Sequence, residues 1–127
     1  MVQLLKEMEE YAKENNIPIM MDDGLKFIED YIKKNNVKRI LEIGSAIGYS
    51  AIRMCLNENI CITTIERDEV RYKEAVKNIK KAKLENQITL IYDDALNIDL
   101  DEKYDLIFID AAKGQYIKFF EKFEKNL

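Results

Sequence analysis

The 127-residue sequence contains no histidine. That excludes a Ser-His-Asp triad, a Cys-His pair and any His-ligated metal site. Proton transfer must then use Asp, Glu, Lys, Tyr or Cys, and a metal must be a hard ion held by oxygen. Cysteine is nearly absent: Cys55 falls in a predicted helix and Cys61 in the next strand. The pair reads either as a disulfide or as two reduced core thiols, the second being the expectation for a cytoplasmic protein. No apolar run exceeds a few residues, so the sequence shows no membrane span and no signal peptide. An excess of basic charge is also missing, the net charge being −4. This argues against a general nucleic-acid binder and leaves a local basic face open. What is present, 47% hydrophobic and 35% charged residues, suits one folded domain over 1–127 with a solvated surface.

The stretch Arg39-Ile-Leu-Glu-Ile-Gly-Ser-Ala-Ile-Gly-Tyr-Ser50 organises the chain. An apolar run with β character leads into a glycine turn, Gly44 to Gly48, and Ser50 to Leu56 reads as a helix. Strand, glycine turn, helix is the shape of a nucleotide-binding crevice. The glycines let backbone approach a ligand, and the helix start offers free N–H groups. Glu42 just before the turn would repel a phosphate and attract a cation. A ligand with an adenosine, an amino group, a positive charge and no phosphate is implied, and S-adenosylmethionine fits. A dinucleotide fits poorly, because Ala46 and Tyr49 stand where G-x-G-x-x-G needs its second and third glycines.

Along the chain, Met1 to Glu14 predicts an amphipathic helix with Met1, Leu4, Leu5, Met8 and Ala12 on one stripe. Pro18, the one proline, cannot continue it. Asp22 and Asp23 offer an N-cap for a second helix to about Lys34, with Leu25, Ile28, Tyr31 and Ile32 inward. Strands are predicted at Val37–Ile43, Ile60–Glu66, Gln87–Tyr92 and Tyr104–Ile109. Asp68 is the expected N-cap of a helix to about Lys83, whose inward stripe is Tyr72, Ala75, Val76 and Ile79. A last helix starts near Gln115, with Tyr116, Phe119, Phe120 and Phe123 as its apolar side. The alternation predicts a parallel α/β sheet with helices on both faces. The lysine-rich runs 80–83 and 118–125 read as solvated helix faces or as a nucleic-acid surface.

Three acids fall at strand carboxyl ends, where open α/β sheets bind ligands: Glu66, Asp94 and Asp110. Glu66 follows Gly44 by about twenty positions, where a carboxylate accepts ribose hydroxyls; otherwise it caps the next helix. Asp94 is placed to accept from an adenine amino group, or forms an ordinary Asx turn.

Together, Leu41-Glu-Ile-Gly-Ser-Ala-Ile-Gly-Tyr-Ser50, Thr64-Ile-Glu-Arg67, Asp94-Ala95 and Ile109-Asp-Ala-Ala-Lys-Gly-Gln-Tyr116 resemble the cation-dependent O-methyltransferases. The family includes the catechol and caffeoyl-coenzyme A enzymes. The Asp-Ala-Ala-Lys-Gly-Gln-Tyr run looks most like the bacterial branch that methylates 5-hydroxyuridine in tRNA. The resemblance implies a Rossmann-like class I methyltransferase sheet in the order 3-2-1-4. It implies that Glu42, Gly44, Ala46 and Gly48 hold the methionine end of S-adenosylmethionine, with Ser50 and the Ile19-Met20 segment closing over it. Glu66 would take the ribose, and Asp94 with the Ala95 backbone the adenine. Asp110 would be the first ligand of a magnesium ion that lowers the pKa of the acceptor hydroxyl. Lys113 would receive or stabilise the proton lost; taken alone, it reads as a surface lysine at a helix start.

The resemblance also implies more chain at both ends and more strands than the four found, with two further metal ligands after the next strand. The sequence is therefore expected to be an incomplete domain. Its acceptor is expected to be tRNA, or a small catechol-like hydroxylated aromatic; a cofactor-binding fragment without catalysis is a further class. In the order 3-2-1-4 the fourth strand becomes an edge with four consecutive apolar residues and no proline or lysine, which predicts a homo-oligomer joined there.

Overall fold

The computed structural model describes residues 1–20, 22–56, 59–110 and 116–127. Two helices open the chain, α1 (Val2–Glu14) and α2 (Asp22–Lys34). Then strands and helices alternate: β1 (Arg39–Ile43), α3 (Tyr49–Cys55), β2 (Cys61–Glu66), α4 (Glu69–Lys81) and β3 (Ile88–Tyr92). A 3₁₀ turn (Ala95–Asn97), β4 (Leu106–Ile109), α5 (Tyr116–Phe123) and a second 3₁₀ turn (Glu124–Asn126) follow. The strands form one parallel sheet in the order β3-β2-β1-β4, as expected. Each strand starts one or two residues later than the apolar pattern alone predicts.

The helix ends follow local chemistry. α1, α2 and α4 stop in the same way: a residue in the left-handed region (Asn16, Asn36, Lys83) is followed by a buried apolar residue. The amides of those residues, Ile17, Val37 and Leu84, return to the carbonyls of Ala12, Ile32 and Ile79. This is the Schellman arrangement, and it satisfies carbonyls the helix leaves open. Asp68 caps α4, its carboxylate accepting the Arg71 amide at 2.8 Å. Asp22 and Asp23 lie within the first turn of α2 instead of capping it, where their charge still suits the helix N-terminus.

Two cores sandwich the sheet. On one face Ile40 and Ile62 pack with Met8, Leu25, Ile32, Ile52 and Ile79 from the first four helices. On the other, Leu41, Ile43 and Ile65 pack with Ala95, Tyr104, Phe119 and Phe123. Four helical positions assigned inward by periodicity are exposed: Tyr31, Val76, Tyr116 and Phe120. Each lies at the border of its apolar stripe, and the helix turns a narrower strip to the sheet than the stripe allows. Asn78 is buried instead, its amide donating to the Ile47 carbonyl at 3.0 Å. Both cysteines are free, Cys55 buried and Cys61 exposed. Burial pushes the Cys55 thiol up to about 12, so it stays protonated and inert. Among the described residues no helix is long and apolar enough to cross a membrane.

The start of β4 is fixed by a side chain that the sequence reading did not single out. The Asp105 carboxylate accepts the amides of Lys38 and Arg39 at 2.8 and 3.0 Å. Those two donors hold its pKa below the ordinary aspartate value.

Candidate functional site

The carboxyl ends of all four strands meet at one cleft of about 350 Å³. Its floor is Ile43, Gly44 and Ala46 after β1, with Ile65 and Glu66 ending β2. Asp93, Asp94 and Ala95 close it beyond β3, Asp110 beyond β4, with Arg67 ahead of α4 and Arg71 in its first turn. Pro18 and Phe119 complete the rim.

The turn from Gly44 to Gly48 has its shape set by backbone and by β2. Gly44, Ala46 and Gly48 all lie at positive φ, 98°, 48° and 88°. Glycine takes this region without steric penalty, whereas Ala46 takes it with some strain. The amides of Gly44 and Ser45 both donate to the Ile65 carbonyl, at 2.8 and 3.2 Å. The Ala46 amide donates to Glu66 Oε1 at 2.7 Å. Gly48 lies against α4, where an added Cβ would sit 3.6 Å from that of Ala75.

Glu66 sits at the crossing of these elements. Its second oxygen accepts the Asp68 amide at 3.0 Å, so one carboxylate joins the glycine turn to the cap of α4. Each carboxylate oxygen has a further lone pair for a ligand hydroxyl. Asp94 stands as the cap of the first 3₁₀ turn, accepting the Leu96 amide at 3.0 Å. Asp110 donates its amide to the Ile43 carbonyl, and burial raises its carboxyl above the ordinary aspartate range.

Glu42 lies behind the turn, fully buried. It accepts from the Ser50 hydroxyl and, at 2.6 Å, from the Thr64 hydroxyl. Burial, more than any neighbouring charge, pushes it up to about 7.

Of the residues expected at the site, the structure brings Gly44, Ala46, Glu66, Asp94, Ala95 and Asp110 to one cleft. Glu42, Gly48 and Ser50 sit beneath or behind the turn and do not line it. Met20 lines a separate, shallower hollow with Glu9, Ile19 and Tyr49, while Pro18 of the same segment reaches the main cleft. Lys113 lies outside the described residues. Sequence reasoning missed Arg67, Arg71, Asp93 and Phe119. The two arginines had a signal, since they stand one and five positions after Glu66, Arg67 on the strand-to-helix turn and Arg71 in the first turn of α4.

Four carboxyl groups and two guanidinium groups line the cleft, which gives it a negative balance when all are ionised. Such a lining suits a cationic ligand with hydroxyls. It does not by itself make a magnesium centre. Among the described residues no group of three Asp, Glu or Cys side chains converges on a metal position. Asp110 would supply a single carboxylate, whose pKa partial burial raises above the ordinary aspartate value.

The sequence model of the O-methyltransferase family matches residues 1–127. The catechol O-methyltransferase of Niastella koreensis is 36% identical over 104 residues, spanning 76% of this chain and 47% of that enzyme. Among solved structures, a Staphylococcus aureus protein described as a candidate caffeoyl-CoA O-methyltransferase is 42% identical with a TM-score of 0.88. The match covers 97% of this chain and 61% of that one. The O-methyltransferase of Bacillus cereus, solved in complex with SAH, is 28% identical with a TM-score of 0.82, over 98% and 61% of the two chains. The chain spans 58% of the length of the first curated relatives it matches.

Proposed function

The chain belongs to the O-methyltransferase family, and we propose that its cleft binds S-adenosylmethionine for methyl transfer to a hydroxyl. One observation carries this reading: Glu66, at the carboxyl end of β2, is held by the Ala46 and Asp68 amides with lone pairs left for a ribose. Asp94 and Ala95 lie across the same cleft, where an adenine would reach, and the negative lining suits the sulfonium and ammonium charges. The complex of the Bacillus cereus relative with SAH supports the same cofactor.

In this reading the chain's own residues bind and orient the cofactor, so that its methyl faces an acceptor entering over Asp110 and Phe119. Lys113 takes or stabilises the acceptor's proton. The acceptor we favour is 5-hydroxyuridine in tRNA, on the resemblance of the run from Asp110 to Tyr116. A small hydroxylated aromatic is the second reading, favoured by the relatives named for catechol and caffeoyl-CoA.

Calorimetric titration with S-adenosylhomocysteine tests the cofactor assignment. Binding with equal affinity with and without magnesium is expected; no binding in either condition overturns it. Methyl transfer is then assayed with hydroxylated tRNA, unmodified tRNA and a catechol. Transfer to hydroxylated tRNA alone supports the first acceptor, transfer to the catechol the second. Binding without transfer to any of them leaves a cofactor-binding unit without catalysis.

A further inference from the structure

Three consecutive residues of β2 hold the glycine turn, and one of them does so out of sight of the cleft. The Ile65 carbonyl accepts the Gly44 and Ser45 amides, and the Glu66 carboxylate accepts the Ala46 amide. Thr64 reaches the same turn with its side chain: its Oγ1 lies 2.5 Å from the Ser45 hydroxyl. It also lies 2.6 Å from Glu42 Oε1, to which it donates. Thr64 and Glu42 are direct partners in the parallel register of β1 and β2, and both are wholly buried.

A threonine hydroxyl carries one proton. With Glu42 ionised, Thr64 gives it to Glu42, and Ser45 is then the donor in the Ser45–Thr64 bond. The arrangement is therefore directional: Ser45 to Thr64 to Glu42, with Ser50 donating to the other carboxyl oxygen. It spans both ends of the turn, from Ser45 after its first glycine to Ser50 in the first turn of α3. A buried polar chain of this kind is stable only when every member is satisfied.

We propose that Thr64 is a positioning residue of the site, its hydroxyl tying Glu42 to Ser45 and so holding the Gly44–Gly48 turn in the shape that lines the cleft. The expected effect on affinity rests on the cofactor reading above; the effect on the turn itself does not. Valine at 64 would keep the shape and the β-branch while leaving the Ser45 and Glu42 ends without their shared partner.

The test compares Thr64→Val, Thr64→Ser and Ser45→Ala in the full chain. Amide hydrogen exchange at Ser45 and Gly48 is read beside exchange at Ile79 in α4, and S-adenosylhomocysteine affinity is measured by calorimetry. Thr64→Val is expected to speed exchange in the turn and weaken binding, each about tenfold, with Ile79 unchanged. Thr64→Ser should stay within about twofold of the parent, because the hydroxyl is retained. Should Thr64→Val not fold, Ser45→Ala breaks the same link from the turn side and should loosen the turn in its place. Unchanged exchange in the folded Val or Ala variant overturns the proposal, as does a serine variant as loose as the valine one. If the parent chain does not bind S-adenosylhomocysteine, the cofactor reading fails, while the exchange data still decide the role of Thr64.

Discussion

Tyr49, the first residue of α3, donates its hydroxyl to Glu9 of α1 at 2.5 Å, across forty positions of sequence. One turn on, Arg53 donates to the same hydroxyl at 3.1 Å and to Asp22 of α2 at 2.5 Å. Both N-terminal helices are thus latched to the helix that leaves the glycine turn. Burial first, and then the bond to Glu9, raise the Tyr49 phenol, so it remains a donor at any working pH.

Tyr49→Phe should lower stability by about 1–2 kcal/mol, because the hydroxyl's bonds to Glu9 and Arg53 are both lost. Urea unfolding is the measurement, and the midpoint should fall with an unchanged slope. An unchanged midpoint would mean that the latch contributes nothing.

Glu66→Ala should weaken S-adenosylhomocysteine binding by roughly 1.5–3 kcal/mol, the range for hydrogen bonds to a charged group. The substitution also leaves the Ala46 and Asp68 amides without their acceptor. Melting temperature should therefore drop together with affinity. Calorimetry showing parent-like affinity would place the ribose elsewhere.

Glu42 makes stability depend on pH. Its pKa is pushed up to about 7 in the folded chain from 4.5, so the folded state holds a proton that the unfolded state has released. The stabilisation is complete below about pH 4.5 and is lost as pH rises through about 7, on the order of 3 kcal/mol over that window. Glu42→Gln, neutral throughout, should remove this slope. Denaturant unfolding of both chains at pH 5 and pH 7.5 is the comparison. Identical pH slopes would show that Glu42 is ionised even when folded.

The open edge of the sheet carries the association prediction. β4 reads Leu-Ile-Phe-Ile, without a charge or proline, and among the described residues pairs only with β1. Phe119 and Phe123 are already packed against the sheet, but Ile117 and Phe120 of α5 remain exposed. Such an edge normally carries a charge or a bulge against pairing with another chain. Light scattering at micromolar concentration should detect species larger than a monomer. Ile107→Lys should reduce them more than Val76→Lys on the outer side of α4. A stable monomer whose 106–109 amides exchange rapidly would show that the open edge is tolerated.

The strands, their order and the acids at their carboxyl ends were legible in the sequence because each is a local signal. Apolar runs fix the strands, Asp68 its cap, and strand ends bring Glu66, Asp94 and Asp110 together. Two kinds of feature were not legible. Periodicity gives the direction of a helix face but not its width, so Tyr31, Val76, Tyr116 and Phe120 were assigned inward although they are exposed. An apolar pattern says nothing of polar residues whose partners are distant: buried Asn78 with Ile47, buried Thr64 with Ser45 and Glu42, and exposed Asp105 with Lys38 and Arg39. Glu42 and Ser50 were singled out from the motif, but only the packed sheet shows that they face each other behind the turn.

The bonds from Asp105 to the start of β1 have a kinetic consequence. They close a separation of 66 residues, whereas the Thr64–Glu42 bond between β1 and β2 closes 22. Loop-closure entropy grows with the logarithm of length, so the longer closure is disfavoured by about 1 kcal/mol. We predict that β1, β2 and β3 assemble first and that β4 docks last, with Asp105 closing the seam. Asp105→Ala should then speed unfolding and leave the refolding rate nearly unchanged. The central strand would thus spend the early part of folding with one side unpaired, an interval of exposure to aggregation that comes before, and adds to, that of the β4 edge in the finished fold.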